Sequence, residues 1–227
     1  MKPPFTFGPE LTLDRLDRDG ALRETGSRLS RTRFLGIAAG VGAASSIFVT
    51  DARGATKGDV DILNYALTLE YLQAAFYTET ERIAAVRGQA ARAARVVGAV
   101  ERAHVDAFRK LLGRKAIKRP AFDFRGTTED QQAFLKTAVA FEDLAVAAYK
   151  GQAHLIKSDA VLAAAVSIHS VEARHAAWMR HLFGIRPAAT AFDQAKPRAE
   201  IERIVRSTSF VVARPRTRGR GGPRFTG

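Results

Sequence analysis

The 227-residue chain contains no cysteine, which excludes disulfide frameworks, thiolate zinc sites, iron–sulfur clusters and cysteine nucleophiles together. Any metal it holds must sit on oxygen and imidazole. The chain also lacks an apolar run of the roughly 20 residues that a membrane-spanning helix needs, so no stable membrane span is expected. Runs of β-branched and aromatic residues with period-two alternation are scarce. Alanine, leucine, arginine and glutamate dominate the middle of the chain and favour helix over sheet. Hydrophobic residues make up 46% of the sequence, enough to fill the core of one domain of ordinary size, and the expected fold class is all-α.

Acid is in short supply relative to base, and the formal net charge is +13. Much of that excess lies at the end. Residues 214–227 carry Arg214, Arg216, Arg218, Arg220 and Arg224 among glycine and proline, with no acid. A segment of that composition cannot bury a core and is expected to be a disordered basic tail. It has no repeated RGG unit and no interleaved row of aromatics, so no specific nucleic-acid partner is expected.

Residues 1–54 read as a leader. The first 26 are polar, mixed in charge and without apolar period. They run into Ser30-Arg31-Thr32-Arg33-Phe34-Leu35, then an uncharged stretch from Ile37 to Thr50 rich in Ala, Gly and Ser, then Asp51-Ala52-Arg53-Gly54-Ala55. Basic, apolar and small-residue regions in that order are the parts of an export signal. The serine, arginines and Phe-Leu pair resemble a twin-arginine signal, with Thr32 standing where the second arginine of that pattern belongs and Arg33 after it. The expected location is therefore extracytoplasmic or periplasmic, the alternative being a cytoplasmic chain.

Residues 55–186 show helical period. Leu63, Leu67, Glu70, Ala74 and Tyr77 share one face of a first helix running from Asp59 to about Arg87. Val97, Glu101, His104, Val105 and Phe108 share a face of a second, from Gln89 to Leu112, with Gly113 as its stop. Residues 114–127 lack period and are too many for a tight hairpin, which makes them a long crossover between helices two and three. Thr127 or Thr128 is expected to cap the third helix, which runs to about Lys157. Ser158 or Asp159 is expected to cap the fourth, which ends at Phe183 before Gly184. In the extension over 187–213, a short helix is expected between Asp193 and Arg206.

Helix two contains Glu101-Arg102-Ala103-His104 and helix four contains Glu172-Ala173-Arg174-His175. In each, the Glu and His stand three residues apart on one helical face. Helices one and three each place a single glutamate, Glu70 and Glu142, in an apolar stripe. Glu70 precedes Glu101 by 31 residues and Glu142 precedes Glu172 by 30, so the two halves repeat. In antiparallel helix pairs this separation brings all six side chains to one height. Four ionised carboxylates in an apolar layer would repel one another and be costly to desolvate, and two divalent cations would cancel that charge. One Glu from each of two helices and Glu-x-x-His from each of the other two is the ligand set of a di-iron or di-manganese bundle. Glu70, Glu101, His104, Glu142, Glu172 and His175 are the expected ligands, with Glu101 and Glu172 bridging the ions. Iron or manganese is the expected metal, and no catalytic residue is assigned beyond the ligands.

The string Leu63-Asn64-Tyr65-Ala66-Leu67-Thr68-Leu69-Glu70-Tyr71-Leu72 and the later Ala74-Ala75-Phe76-Tyr77 resemble the exported bacterial ferritin-like domain proteins related to plant desiccation-response proteins. The resemblance covers residues 59–183. It implies a ferritin-like antiparallel four-helix bundle and a metal site, without a settled reaction.

Three further residues are candidates for the surroundings of the site. His169 lies three residues before Glu172, where it could donate to a carboxylate or simply pack in the core. Tyr77 and Tyr149 each lie seven residues beyond a candidate ligand, as core tyrosines or as redox-active phenols. Small residues flank the ligands and leave room only for dioxygen, peroxide or metal ions as substrates. Two functions follow: an oxidoreductase that oxidises metal or consumes peroxide, or a non-catalytic module that sequesters metal in stress protection. Nothing in the sequence specifies an oligomer.

Overall fold

A computed structural model describes residues 55–213. Residues 1–54, where a leader with an export signal is expected, and residues 214–227, where a basic tail is expected, lie outside the described residues.

Each of the four long helices is bounded by local chemistry. Helix α1, Lys57–Ile83, opens on a capping box in which Thr56 and Asp59 satisfy each other's backbone N–H groups. It closes at Ala84 in the left-handed conformation. Helix α2, Gly88–Leu112, has no side-chain cap at its start and ends at Gly113, whose φ of 53° lies in the region glycine favours. Helix α3, Gln131–Ala153, is capped by Asp130, which accepts from the Ala133 N–H at 2.8 Å. Helix α4, Asp159–Phe183, is capped by Ser158 and stops at Gly184.

The α3 boundaries differ from the expected ones for a visible reason. The Thr127 hydroxyl donates to the Phe124 carbonyl at 2.8 Å and the Thr128 hydroxyl to buried Glu79 at 2.9 Å. Both threonines are thus committed to the turn before the helix, and Asp130 takes the cap. At the other end the chain turns at Leu155, whose N–H donates to the Gln152 carbonyl, and is free to enter α4 at Ser158.

The helices form two hairpins, α1 with α2 and α3 with α4, laid against each other as a four-helix bundle. Gly98 permits the close approach of α1 and α2, since a Cβ there would stand 2.7 Å from Cβ of Tyr77. The crossover is more structured than its composition suggests. Asn64 of α1 pins its start, donating to the Lys115 carbonyl at 3.0 Å and accepting from the Ile117 N–H at 2.9 Å. A two-residue strand β1, Ala121–Phe122, then pairs antiparallel with β2, Val211–Val212. Phe122, Phe124 and Phe210 carry this pairing into an aromatic cluster with Phe76, Phe134 and Phe141, whose ring centroids lie 5.1 to 5.9 Å apart along the chain of contacts.

The short helix of the C-terminal extension is α5, Arg198–Thr208. It starts later than the expected Asp193 because the preceding segment is tied down: the Lys196 N–H donates to the Ala147 carbonyl at 3.1 Å, and Pro197 then sets the helix entry. Gly151 makes that crossing possible, since a Cβ there would run into the Lys196 carbonyl. Buried Ile201 and Val205 hold α5 against the bundle, and the Arg198 guanidinium lies 4.9 Å from the centre of the Tyr65 ring. Among the described residues no helix is long and apolar enough to cross a membrane.

Candidate metal centre

Glu70, Glu101, Glu142 and Glu172 each stand near the midpoint of their helix, at position 14 of 27, 14 of 25, 12 of 23 and 14 of 25. Antiparallel packing of helices of such similar length puts these midpoints in one layer. All four carboxylates are fully buried, and His104 and His175 are 7% and 6% exposed. The structure brings these six residues together in two overlapping groups. Glu70, Glu101, His104 and Glu172 offer ligand atoms within 4.8 Å of one another, and so do Glu101, Glu142, Glu172 and His175. Glu101 and Glu172 belong to both.

The ring nitrogens that face the cluster are Nδ1 in both histidines. Nδ1 of His104 lies 3.1 Å from Glu70, 3.2 Å from Glu172 and 3.5 Å from Glu101. Nδ1 of His175 lies 2.9 Å from Glu101 and 3.5 Å from Glu142, without the alignment of a hydrogen bond. One ring nitrogen carries at most one proton and can serve only one of these oxygens. Both Glu101 oxygens, Glu142 Oε2, Glu172 Oε1 and His175 Nδ1 are left buried with no hydrogen-bond partner among the described residues. Four orphaned carboxylate oxygens converging on one place beside two imidazoles are what a cation would satisfy, and oxygen and imidazole ligands suit a divalent transition metal.

The electrostatics of the cluster is divided. Burial pushes the Glu70 carboxyl up to about 7, against the pull of the neighbouring His104 charge and the Tyr149 hydroxyl. Burial and then the charge of Glu101 drive Glu172 well above the usual carboxylate range. Burial works against ionisation of Glu101 as well, but the two imidazoles outweigh it and hold this carboxyl at about 2. The histidines answer in kind. Burial disfavours their charged forms, yet the surrounding carboxylates hold His104 well above its ordinary value and His175 at about 10. Protons thus serve as the counter-charge of this cluster wherever cations do not.

Tyr77 and Tyr149 tie the two hairpins across the site. The Tyr77 hydroxyl of α1 donates to Glu142 Oε1 of α3 at 2.5 Å, and the Tyr149 hydroxyl of α3 donates to Glu70 Oε1 of α1 at 2.5 Å. Both tyrosines are buried, and burial followed by the nearby carboxylate charge raises both phenols far above the ordinary tyrosine value, so each keeps its proton. Gln73 adds a bond that sequence reasoning missed, its amide N–H donating to Glu172 Oε2 at 3.3 Å. The available signal was its position three residues after Glu70, on the same helical stripe.

His169 stands apart from the cluster. Its Nε2 has no hydrogen-bond partner among the described residues, and after burial the charges that act on it are those of Asp193 and Lys150. Asp143, next to Glu142, turns away and receives two hydrogen bonds from Arg180 at 2.8 and 2.7 Å, which lock α3 to α4.

An antiparallel helical bundle closed around buried carboxylates and imidazoles defines a class of proteins able to hold metal in the bundle core. The family model of the ferritin-like domain matches residues 58–184, more than half of the chain, and the chain belongs to that family. No curated protein matches it.

Proposed function

We propose that the six residues hold two divalent cations and that the resulting centre reacts with dioxygen or peroxide. The observation that carries this reading is the sharing of Glu101 and Glu172 between two four-residue groups that each have their own terminal glutamate and histidine. Such sharing suits two ions bridged by two carboxylates. A pair of iron or manganese ions supplies two electrons for the reduction of dioxygen or peroxide.

The chain's own residues do the rest. His104 and His175 bind as neutral imidazoles, so the protons held at their Nδ1 atoms leave on loading. Tyr77 and Tyr149 occupy one oxygen each of Glu142 and Glu70 and leave the other oxygen of each carboxylate for the cation. Gln73 donates to Oε2 of Glu172 and so orients the carboxylate common to both groups. Phe76 and Phe134 pack against the Tyr77 ring at 5.4 and 6.0 Å and put apolar surface beside its bond to Glu142. Oxidising free metal or consuming peroxide places the protein in protection against oxidative or drying stress.

The test is anaerobic loading with Fe(II) or Mn(II), followed by addition of dioxygen or peroxide while absorbance and oxidant consumption are recorded. Two metals bound per chain and oxidant consumption faster than in a Glu101→Ala, Glu172→Ala control are expected. Metal binding with no consumption above that control would make the protein a sequestering module instead.

A further inference from the structure

A second feature lies beside the cluster, toward the start of α1 and the end of α3. Ala66 and Leu69 of α1, Phe108 of α2, Tyr149 of α3 and Ala165 of α4, together with the polar-tipped Tyr65 and Gln152, are among the residues that line a partly open pocket of about 20 Å³. Its lining is almost wholly carbon. It touches the cluster through Tyr149, whose hydroxyl donates to Glu70 at 2.5 Å, and through Leu69, the residue before Glu70.

The size and the chemistry of the lining together select the occupant. A water needs roughly 10–15 Å³ and two to four polar partners, whereas an apolar cavity that takes benzene is about 150 Å³. The cavity is therefore too small for an organic substrate. It is large enough for water or a diatomic molecule, but a lining surface that is almost wholly carbon gives water few partners, the Tyr65 hydroxyl and the Gln152 amide being the polar groups of the lining besides Tyr149. The Tyr149 hydroxyl is already committed to Glu70. Peroxide, with two hydroxyl groups to satisfy, is disfavoured for the same reason as water.

We propose that this cavity is a binding site for an apolar diatomic molecule, and that dioxygen rather than peroxide is the oxidant it delivers to the Glu70 side of the centre. The proposal rests on the redox reading above. The lining residues concentrate a nonpolar gas from water by the same transfer preference that buries hydrocarbon. Ala66, Ala148 and Ala165 contribute short side chains to the lining, where longer ones would take up the space.

The test uses the full chain. Crystals of the metal-free protein pressurised with krypton should show the gas in this cavity by anomalous scattering. Ala165→Leu and, as a second variant at the cavity's outer end, Ile156→Phe should lose that density. In the metal-loaded variants dioxygen consumption should fall while peroxide consumption and metal content stay at the unmodified level. Ordered water in the cavity, or krypton elsewhere only, overturns the proposal, as does undiminished dioxygen consumption in variants that have lost the krypton site. Krypton in the cavity of a protein that binds metal but consumes no dioxygen supports the gas site and overturns the redox reading, so the two failures are distinguishable.

Discussion

At the scale of single residues, Glu70 and Glu172 trade structural stability for the capacity to bind charge. Glu172 is the clearest case, because burial and the neighbouring Glu101 both oppose its ionisation. Glu172→Gln is expected to raise the melting temperature of the metal-free protein at pH 8, since it removes the cost of keeping protonated a buried carboxyl that the unfolded chain ionises. It should also abolish the stabilisation that added Mn(II) gives the unmodified chain, as differential scanning calorimetry with and without metal will show. Tyr149→Phe acts in the opposite sense. It leaves Glu70 Oε1 without a donor, and urea unfolding of the metal-free variant is expected to show a loss of about 1–3 kcal/mol. The ligands were legible from spacing because a period of 3.6 fixes which residues of one helix share a face. The tyrosine ties were only half legible. Spacing places Tyr77 and Tyr149 on the ligand stripe, but each bonds a glutamate of the other hairpin, which depends on how the helices are rotated against each other.

Among the elements, the joint between the start of α1 and the α3–α4 turn depends on one carboxylate. Fully buried Asp59 accepts from the Thr56 N–H and hydroxyl at 2.8 and 2.9 Å and from the Lys157 N–H at 2.8 Å. Burial alone would raise its pKa, but these donors outweigh it and hold the group below its ordinary 3.8. A depressed carboxyl contributes stability that is present above 3.8 and lost as pH falls through the folded value. Asp59→Ala is therefore expected to cost about 1–2 kcal/mol at neutral pH, the range for a lost cap, and the difference from the unmodified protein should shrink in strong acid, as denaturant titrations at several pH values will show. Helices α2 and α4 could be read from period and stop signals, whereas α1 could be read from period but not at its end, which falls at Ile83 rather than about Arg87 because Ala84, not a glycine, takes the left-handed turn. The crossover could not: its contacts with Asn64, β2 and Phe210 are made to residues far away in sequence, and no local pattern announces them.

The whole molecule should show its charge arrangement in the pH dependence of its stability without metal. Glu101, held at about 2 against an ordinary 4.5, contributes stability that is complete above 4.5 and lost as pH falls toward 2. His175, held at about 10 against 6.5, contributes stability that is complete below 6.5 and lost as pH rises through 10. Glu70, pushed from 4.5 to about 7, keeps in the folded state a proton that the unfolded chain has released, so stability declines further across that interval. Thermal melts after chelation are expected to peak in weak acid, near the low end of the window between 4.5 and 6.5. Added divalent metal should move the peak upward in pH, because cations replace the protons and bind better as the imidazoles become neutral.

The sharing of Glu101 and Glu172 has a consequence for how the two halves of the chain depend on each other. Each proposed ion takes three ligands from one hairpin and one from the other, and the crossover contributes none. The bundle is in this sense an internal heterodimer whose interface runs through its metal layer. If the backbone is cut after Arg119, the fragments 55–119 and 120–213 are expected to associate more tightly with Mn(II) than without it, by size-exclusion chromatography of the co-expressed pair. Metal would then be the adhesive of the fold as well as its cargo, and loss of metal would loosen the same seam through which a small oxidant has to pass.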